Sequence, residues 1–512
     1  MMKGYILAHD LGTSGNKAVL YSTSGELISS VLWEYDTAHP APGYVEQNPA
    51  DWWEAVCRST AGLLEQSGVQ AGEILCVSFS AQMMGCLLVD RKGEALYPMI
   101  TWADMRAVKQ ARKMEGLLGM ESVYQVTGHR ISASYSAAKL LWLRDEHPAI
   151  YKKGWKMLQA KDYVIHKLTG KFITDYSDAG GTNLFDLEKK AWSAEITAAL
   201  EIAPDLLPEL HASTDVIGGI TREAANATGL LEGTPVVAGG GDGSCACVGA
   251  GVTAAGKVYN VIGSSSWISM ASSKPVYDAS MRTFNWVHLD ETLYTPCGTM
   301  QSAGYALQWA KNTLCQPEIL GAQRQKVSPY ELIDRLVEGS PPGAGGLLFL
   351  PYLMGERSPR WNPDARACFL GLTVNSGRSD MLRAVLEGVG YNLKVILDIF
   401  DGFSPIEEIT VIGGGAKGAV WLQILADIWQ KKLIVPRHLD EATSLGAALC
   451  GGVGIGVFPD FGVVEQFLQM QRQVKPQKEL APRYSHMYHA FNEAYHSLSS
   501  VFRTLSEQER GV

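Results

Sequence analysis

The sequence lacks any apolar run that approaches the roughly twenty residues of a membrane-spanning helix. It also lacks an excess of basic residues, because 44 lysines and arginines stand against 53 aspartates and glutamates, which gives a formal net charge of -9. A chain with this balance has no positive field to attract nucleic acid or an anionic membrane. We therefore expect neither as a partner.

Cysteine is sparse and irregularly placed. The nine cysteines form an odd set without the regular spacing of a disulfide framework. Cys245 and Cys247 stand alone, whereas a structural zinc site needs four ligands. The first residues reach His9 and Asp10 before any apolar core of signal-peptide length, so we expect a cytoplasmic protein with reduced thiols.

The length and the order of patterns indicate two domains. A chain of 512 residues exceeds one ordinary core. Strand, helix and strand patterns alternate in its first hundred residues, which is typical of an open α/β sheet whose ligands gather beyond the strand ends. No low-complexity linker is visible, and the boundary is expected between Gly249 and Gly256. This gives domains 1–250 and 251–512.

A tight turn near the N-terminus is the first candidate site. Tyr5 to Ala8 and Lys17 to Ser22 read as strands, and Gly12, Thr13 and Ser14 lie in the turn between them. Glycine lets the main chain approach a phosphate, while Asp10 could hold a hydrated Mg2+ beside it. An ordinary glycine-rich hairpin is the alternative.

Asp242 is the second candidate, since it follows three glycines and opens a small-residue helix. The carboxylate could simply cap that helix. The glycines, however, cap nothing and carry an entropic cost, so they favour close approach of substrate and nucleotide. On that reading Asp242 is a base that accepts the proton of a sugar hydroxyl as it attacks phosphorus.

The pattern of the first hairpin recurs in the second half. Lys257 to Ile262 and Trp267 to Ala271 read as strands around a turn of small residues, Gly263 to Ser266. This repetition suggests two related domains that each present a phosphate-facing hairpin to one cleft, although coincidence is an alternative. Gly413 to Lys417 forms another glycine turn, which can bind phosphate or accept adenine and ribose.

Sugar-binding residues are expected between residues 82 and 106. Trp102, Asp104 and Arg106 could stack on and hydrogen-bond a sugar or polyol. A helix cap with a surface salt bridge accounts for them equally well. The loop that includes Met83 and Met84 follows an apolar strand, Ile74 to Ser80.

Two long motifs identify a family. Ser134 to Glu146, with Ser136, Lys139 and Trp142, and Ala367 to Glu387 resemble the two signatures of the FGGY carbohydrate kinases. Within that family the chain is most similar to xylulose kinases. The resemblance implies two ribonuclease-H-like domains of the actin-like ATPase superfamily flanking a cleft, with ATP and Mg2+ as cofactors. It also implies an enzyme that phosphorylates a terminal hydroxyl of a sugar.

The resemblance assigns roles residue by residue. Asp242 falls at the catalytic base and contacts substrate, and Asp10 falls at the carboxylate for Mg2+ and substrate. The other substrate-binding positions are Gln82, Met83, Met84, Trp102, Asp104 and Arg106. The ATP-binding positions are Gly12, Thr13, Ser14, Gly263, Ser264, Ser265, Gly304, Gln308, Gly414, Gly415 and Ala416.

Two residues differ from the pattern usual in xylulose kinases, and both differences bear on the substrate. Xylulose kinases usually carry histidine at the position of Met84 and asparagine at that of Ala103, so two hydrogen-bonding groups are missing here. The leading expectation is a ketose such as xylulose or a related ketose or polyol. A gluconate-type or tetritol-type kinase, and a non-catalytic sugar or nucleotide sensor, are the alternatives. Relatives are often dimers, but no stretch of the sequence indicates an interface, so the oligomeric state is open, with a homodimer as one alternative.

Overall fold

The computed structural model describes residues 4–437 and 441–509. The first half is built around a mixed seven-stranded sheet with flanking short ribbons. Its strands are β1 (Tyr5–Leu11), β2 (Gly15–Ser22), β3 (Leu27–Glu34), β4 (Glu46–Gln47), β5 (Ile74–Ala81), β6 (Leu87–Val89), β7 (Met99–Ile100), β8 (Lys156–Leu158), β9 (Ile173–Asp175), β10 (Phe185–Asp186), β11 (Ala191–Trp192), β12 (Glu209–His211), β13 (Val216–Gly219), β14 (Pro235–Val237) and β15 (Gly240–Gly241). Its helices are α1 (Pro49–Ser67), α2 (Val108–Leu118), α3 (Met120–Thr127), α4 (Ser136–Glu146), α5 (Pro148–Tyr151), α6 (Ala160–Thr169), α7 (Tyr176–Gly180), α8 (Ala194–Ala199), α9 (Arg222–Thr228) and α10 (Asp242–Gly249).

The second half repeats this plan. Its strands are β16 (Val258–Ile262), β17 (Ser266–Met270), β18 (Phe284–Val287), β19 (Tyr294–Met300), β20 (Leu348–Leu350), β21 (Cys368–Leu370), β22 (Glu408–Ile412), β23 (Lys432–Pro436) and β24 (Met470–Val474). Its helices are α11 (Gly304–Leu314), α12 (Gln316–Gln325), α13 (Pro329–Glu338), α14 (Arg378–Phe403), α15 (Ala419–Trp429), α16 (Ala442–Gly454), α17 (Val464–Phe467) and α18 (Ala481–Glu509).

The two main sheets share one topology. The first runs β13-β14-β5-β1-β2-β3, with β15 added beside β5, and the second runs β18-β19-β17-β16-β22-β23-β24. In each sheet a hairpin, β1–β2 or β16–β17, is antiparallel, and its first strand lies parallel to a later strand, β5 or β22. The repeat expected from the two hairpins is therefore present in the strand order.

The central strand β1 of the first sheet is buried between two helices. Residues 6–9 of β1 are fully buried, because α1 covers one face of the sheet and α16 the other. The side chain of Asn48 caps α1 by accepting from the N–H of Ala50 at 3.2 Å, and Pro49 occupies the first turn. Gly68, with φ of 70°, ends the helix in the left-handed region.

Helix α16 belongs to the second half in sequence but packs against the first sheet. A Cβ at Gly446 would lie 1.9 Å from the carbonyl oxygen of Cys245, and one at Gly249 would lie 1.8 Å from that of Ala442. Only glycine permits this backbone contact between α10 and α16. The small residues of the α16 sequence thus fix α10, whose first residue is Asp242, against the core.

Residues 173–187 contain β9, α7 and β10 and are almost wholly buried, although many of them are polar. The polar side chains are tolerated there because Lys161 forms ion pairs with Asp175 and Asp178, at 2.9 and 3.1 Å. Of the helices that the structure describes, none is both long and apolar enough to cross a bilayer.

Candidate active site

The turn of the first hairpin is held by hydrogen bonds from residues outside the hairpin. The carbonyl oxygen of Gly12 accepts from Tyr35 Oη at 2.5 Å, and that of Thr13 accepts from Gln47 Nε2 at 2.6 Å. Ser14 is exposed. The turn is therefore rigid, with backbone N–H groups and two hydroxyls available to an anion.

The turn of the second hairpin docks on α11. The carbonyl oxygen of Ser264 accepts from the N–H of Ala303 and of Tyr305, both at 3.0 Å. A Cβ at Gly304 would lie 2.3 Å from the carbonyl oxygen of Gly263, so the contact requires glycine. Gly263 and Ser264 remain exposed and Ser265 is half-buried, which leaves a second polar turn facing the cleft.

A pocket of about 620 Å3 opens beside this second turn. It has the size of a small-molecule site and combines apolar and polar walls. Its lining residues are Ile262, Gly263, Ser264, Gly304, Leu307, Gln308, Ser328, Tyr330, Glu331, Asp334, Gly414, Gly415, Lys417, Gly418 and Trp421. Thus the structure brings together six of the predicted ATP-binding residues from three separate segments.

Ser265 and Ala416 are the two predicted ATP-binding residues of the second half that do not line this pocket. The side chain of Ala416 is 2% exposed and packs in the core with Trp421, because Gly414–Lys417 forms a 3-10 turn that points this methyl group inward. Its backbone is left to face a ligand, and its assignment to the ATP site stays a prediction.

Asp10 and Asp242 lie at one edge of the first sheet. β1 and β15 each pair in parallel with β5, where Asp10 is opposite Ser80 and Gly241 opposite Ala81. Ser80 Oγ donates to Asp10 Oδ1 at 2.9 Å, and the N–H of Gly243 donates to Asp242 Oδ1 at 2.7 Å. Strand order alone therefore brings two carboxylates together from positions far apart in sequence.

Both carboxylates are harder to ionise than usual. Loss of water around the group, and then the charge of Asp10, raise the pKa of Asp242 to about 7, although Asp242 is open to the cleft. Desolvation likewise raises the pKa of Asp10 to about 6, and the hydrogen bond from Ser80 opposes the rise. Such pairs are typical of sites built for proton or cation chemistry.

The pair also fits a divalent cation. Within residues 4–437 and 441–509, neither Asp10 nor Asp242 forms an ion pair with a basic side chain, so added positive charge would relieve both. No cluster of three or more histidine, cysteine or acidic ligands occurs among the described residues. A bound Mg2+ would thus take its remaining oxygens from water and phosphate, as this ion commonly does.

The Gln82–Met84 loop contributes mainly apolar surface. The amide of Gln82 is buried and donates to Gln47 Oε1 at 2.6 Å, so it supports the first hairpin instead of facing a sugar. Met83 is 5% exposed. Met84 is half-buried with φ of 64°, and its carbonyl oxygen accepts from Lys139 Nζ at 2.8 Å. Met84 is the loop residue best placed to contact a ligand.

Asp104 and Arg106 form a buried ion pair. Both charged side chains are enclosed and joined at 2.7 Å, and Arg106 also pairs with Glu46 at 2.7 Å. The guanidinium lies 3.8 Å from the ring centroid of Tyr44. The ion pair is therefore buried, whereas the sequence alternative was a surface salt bridge, and a direct sugar contact by either residue stays a prediction. Trp102, in contrast, is 37% exposed.

Trp102 joins the sugar side to the first hairpin. Its Nε1 donates to Thr13 Oγ1 at 3.1 Å. The indole consequently lies between the turn expected to bind phosphate and the expected sugar loop. This position is consistent with the stacking role that the sequence suggested.

A cluster of aromatic and sulfur-containing side chains, which includes Met83 and Met84, was not foreseen from the sequence. It is assembled from both halves of the chain and therefore has no local signal. Its members are Met83, Met84, Tyr135, Trp267, Phe284, Trp286, Cys297 and Trp361. We call this set the apolar wall.

A buried polar network leads to Asp242 and was also missed. Lys161 Nζ lies 2.9 Å from Asp175 Oδ1, and Ser177 Oγ donates to Asp175 Oδ2 at 2.5 Å. The N–H of Gly241 donates to Ser177 Oγ at 2.9 Å. The network thereby fixes the backbone directly before Asp242. The available signal was Lys161 followed by Asp162 inside an otherwise apolar helix.

Comparison with known proteins shows which family the chain belongs to. Residues 5–249 match the model of the N-terminal domain of the FGGY family of carbohydrate kinases, and residues 258–455 match that of its C-terminal domain. The chain belongs to the FGGY family of carbohydrate kinases. It is an ATP-dependent sugar kinase with the two-domain α/β fold of the actin-like ATPases, as the sequence motifs predicted.

Similar proteins include gluconokinases and xylulose kinases. The gluconokinase of Bacillus licheniformis is 32% identical over 515 residues, covering 100% of this chain and 99% of the relative. The xylulose kinase of Bacillus subtilis (strain 168) is 32% identical over 493 residues and 96% of each chain. Among solved structures, gluconate kinase from Lactobacillus acidophilus superposes with a TM-score of 0.92, at 26% identity over 98% of this chain and 100% of that one. Ligand-bound xylulose kinase from the same organism gives 0.90, at 27% identity with the same coverage.

Proposed function

We propose that this kinase transfers the γ-phosphoryl group of ATP to a terminal hydroxyl of an open-chain sugar substrate, with Asp242 as the base. The observation that carries the proposal is the position of Asp242: it is exposed, lies close enough to Asp10 for the two charges to interact, and follows Gly241, where an added Cβ would lie 2.3 Å from Met83 Sδ of the apolar wall. The raised pKa of Asp242, to about 7, suits a group that accepts a proton near neutral pH.

We assign the two substrates to different halves of the chain. Residues 1–250 would hold the sugar and the first phosphate turn, and residues 251–512 the nucleotide in the pocket beside Gly304 and Gln308. Mg2+ held at Asp10 would neutralise charge on the transferred phosphoryl group. As the hydroxyl oxygen bonds to phosphorus and ADP leaves, Asp242 takes the hydroxyl proton. Most of the rate gain then comes from positioning and exclusion of water.

The substrate is a ketose such as xylulose, a related polyol or a sugar acid. Similar proteins bear both the xylulose kinase and the gluconokinase names. Met84 and Ala103 take the place of polar residues usual in xylulose kinases, so the pocket offers fewer groups for sugar hydroxyls. A homodimer and a cytoplasmic location stay predictions.

The test is release of ADP, with Mg-ATP, across ketoses, polyols and aldonates. Wild type is compared with Asp242→Asn, which keeps shape and removes the base, and with Asp398→Asn as the matched control. Asp398 is an exposed carboxylate that pairs with Lys394 on α14, a helix of the second half of the chain. We expect turnover of at least one substrate, unchanged in the control and lowered roughly 100- to 10,000-fold in Asp242→Asn.

Two results would oppose the proposal. If Asp242→Asn retains more than a tenth of the turnover, Asp242 is not the base. Absence of turnover on every substrate, with ATP binding intact, would oppose the proposed substrate range.

A further inference from the structure

Asp334 is a half-buried carboxylate in the wall of the pocket beside the second hairpin turn. It lies on α13, and a Cβ added at Gly418 would lie 3.9 Å from Asp334 Oδ2. Within residues 4–437 and 441–509, the carboxylate makes no hydrogen bond and no ion pair. An acceptor that lines a cavity and receives no donor from the protein is available to a ligand.

The protein around Asp334 does not neutralise its charge. Desolvation raises the pKa of Asp334 to about 6, and the charges of Glu338 and Glu331 on the same helix add to the rise. Lys417 also lines the pocket, but it forms no ion pair with Asp334 in the part of the chain that the structure describes. Asp334 is therefore mainly ionised at neutral pH, and in this form it accepts hydrogen bonds and donates none.

The glycine turn after β22 gives the pocket a direction. A Cβ at Gly415 would lie 2.3 Å from Ile262 Cγ2, and Ile262 directly precedes the second hairpin turn. Gly418 follows three residues later and lies beside Asp334. Asp334 thus borders the end of the glycine turn that is away from the hairpin. A nucleotide whose phosphates meet the hairpin turn would extend along the glycine turn toward Asp334.

The surface between these two ends suits a flat base. Nothing lies within 4 Å of a Cβ at Gly414, so the backbone is bare at this point. Trp421 is 3% exposed and supports the turn from the interior, while Leu307 and Tyr330 add apolar lining. In ATP the ribose follows the phosphates and the base comes last. The base is therefore the part of the nucleotide that reaches Asp334.

Adenine and Asp334 have complementary hydrogen-bonding groups. Adenine carries an amino group on C6, at the edge of the base away from the ribose. An ionised carboxylate that accepts from this group gains a charge-assisted hydrogen bond. Hypoxanthine and guanine carry an oxygen on C6, which would place one acceptor against another and leave the carboxylate unpaired.

We propose that Asp334 accepts a hydrogen bond from the 6-amino group of adenine and thereby selects ATP over triphosphates whose base carries an oxygen on C6. The inference rests on the proposed function, which assigns the nucleotide to this pocket, and deepens it by naming the residue that recognises the base. Asp334 contacts the base alone and takes no part in the chemical step.

The experiment compares nucleotides that differ at C6. ITP carries an oxygen in place of the amino group of ATP, and purine riboside triphosphate carries a hydrogen. We would measure the Kd of each Mg2+ complex by calorimetry without sugar, and kcat/KM with a sugar that wild type phosphorylates. The variants are Asp334→Asn and Asp334→Ala. Glu338→Gln is the matched control, since it removes a carboxylate from the same helix outside the lining of the pocket.

We expect wild type to bind ATP at least tenfold more tightly than ITP, with purine riboside triphosphate between them. Asp334→Ala should weaken ATP binding roughly 10- to 100-fold, because a charge-assisted hydrogen bond is lost. Asp334→Asn should bind ITP several-fold more tightly than wild type does, since its amide can donate to the oxygen on C6. A purely structural role would not produce this gain. The control should keep the wild-type preference, and kcat at saturating ATP should change less than about threefold in every variant.

Contrary results are distinct from failure of the proposed function. An unchanged preference for ATP over ITP in both Asp334 variants would overturn the inference. Equal losses for ATP, ITP and purine riboside triphosphate in Asp334→Ala, without a loss for 2′-deoxy-ATP, would assign the carboxylate to the ribose instead. Tighter binding of GTP than of ATP by wild type would also contradict it. Nucleotide binding with the expected preference but without turnover of any sugar would oppose the proposed function alone, and absence of nucleotide binding would count against both.

Discussion

Replacing Asp242 by asparagine should stabilise the protein while it abolishes turnover. The pKa of Asp242 is raised from its ordinary 3.8 to about 7, chiefly by desolvation and then by Asp10. A carboxyl group with a raised pKa binds its proton more tightly in the folded state, so ionising it costs folding free energy. This cost is absent below about pH 4, grows as the pH rises to about 7, and stays constant above. Asparagine has no such cost.

The size of the effect follows from the shift. A change of about three pKa units corresponds to about 4 kcal/mol as an upper bound. Because Asp242 is open to water in the cleft, screening reduces this to roughly 1–2 kcal/mol. We therefore expect Asp242→Asn to raise Tm by a few degrees at pH 8, without Mg2+ or nucleotide, and to leave Tm almost unchanged at pH 4.5.

Thermal unfolding followed by intrinsic fluorescence measures this directly. The control Asp398→Asn removes an exposed carboxylate and should not raise Tm at pH 8. A lower Tm for Asp242→Asn at pH 8, or an equal rise at both pH values, would refute the electrostatic reasoning. The first result would make Asp242 a structural cap of α10, which is the alternative that its sequence position left open.

Two further predictions concern positioning. Ser177→Ala removes the acceptor for the N–H of Gly241, so kcat should fall roughly tenfold with little change in KM. Ser177→Thr should retain more activity. An equal loss of stability and activity, without a selective effect on kcat, would show that the network has only a structural role. Gly304→Ala places a Cβ 2.3 Å from the carbonyl oxygen of Gly263 and should raise KM for ATP at least several-fold while sugar binding is preserved. The control is Gly402→Ala, since nothing lies within 4 Å of a Cβ at that position. An unchanged KM for ATP would show that this turn does not shape the nucleotide site.

The sequence was sufficient for the parts of the site that depend on local chemistry. Both hairpin turns, Asp10 and Asp242 could be predicted because glycine and small polar residues between two apolar segments strongly favour a tight turn at a strand end. The family motifs then linked these turns to phosphoryl transfer. Six predicted ATP-binding residues line one pocket, because five of them lie in or beside a turn at a strand end and Gln308 follows one turn further along α11.

Other features depend on packing, which no local pattern reveals. Asp104 and Arg106 are hidden because Tyr44 and Glu46, from another part of the first half, enclose them. The ion-pair cluster around Lys161 joins three separate segments only after folding.

The most direct test of the account is a structure of the kinase with Mg2+, a non-hydrolysable ATP analogue and the preferred substrate. The account predicts that the terminal hydroxyl oxygen lies about 3 Å from an Asp242 carboxylate oxygen and in line with the γ-phosphorus. A substrate hydroxyl directed away from Asp242, or a nucleotide outside the pocket beside Gly304, would contradict it.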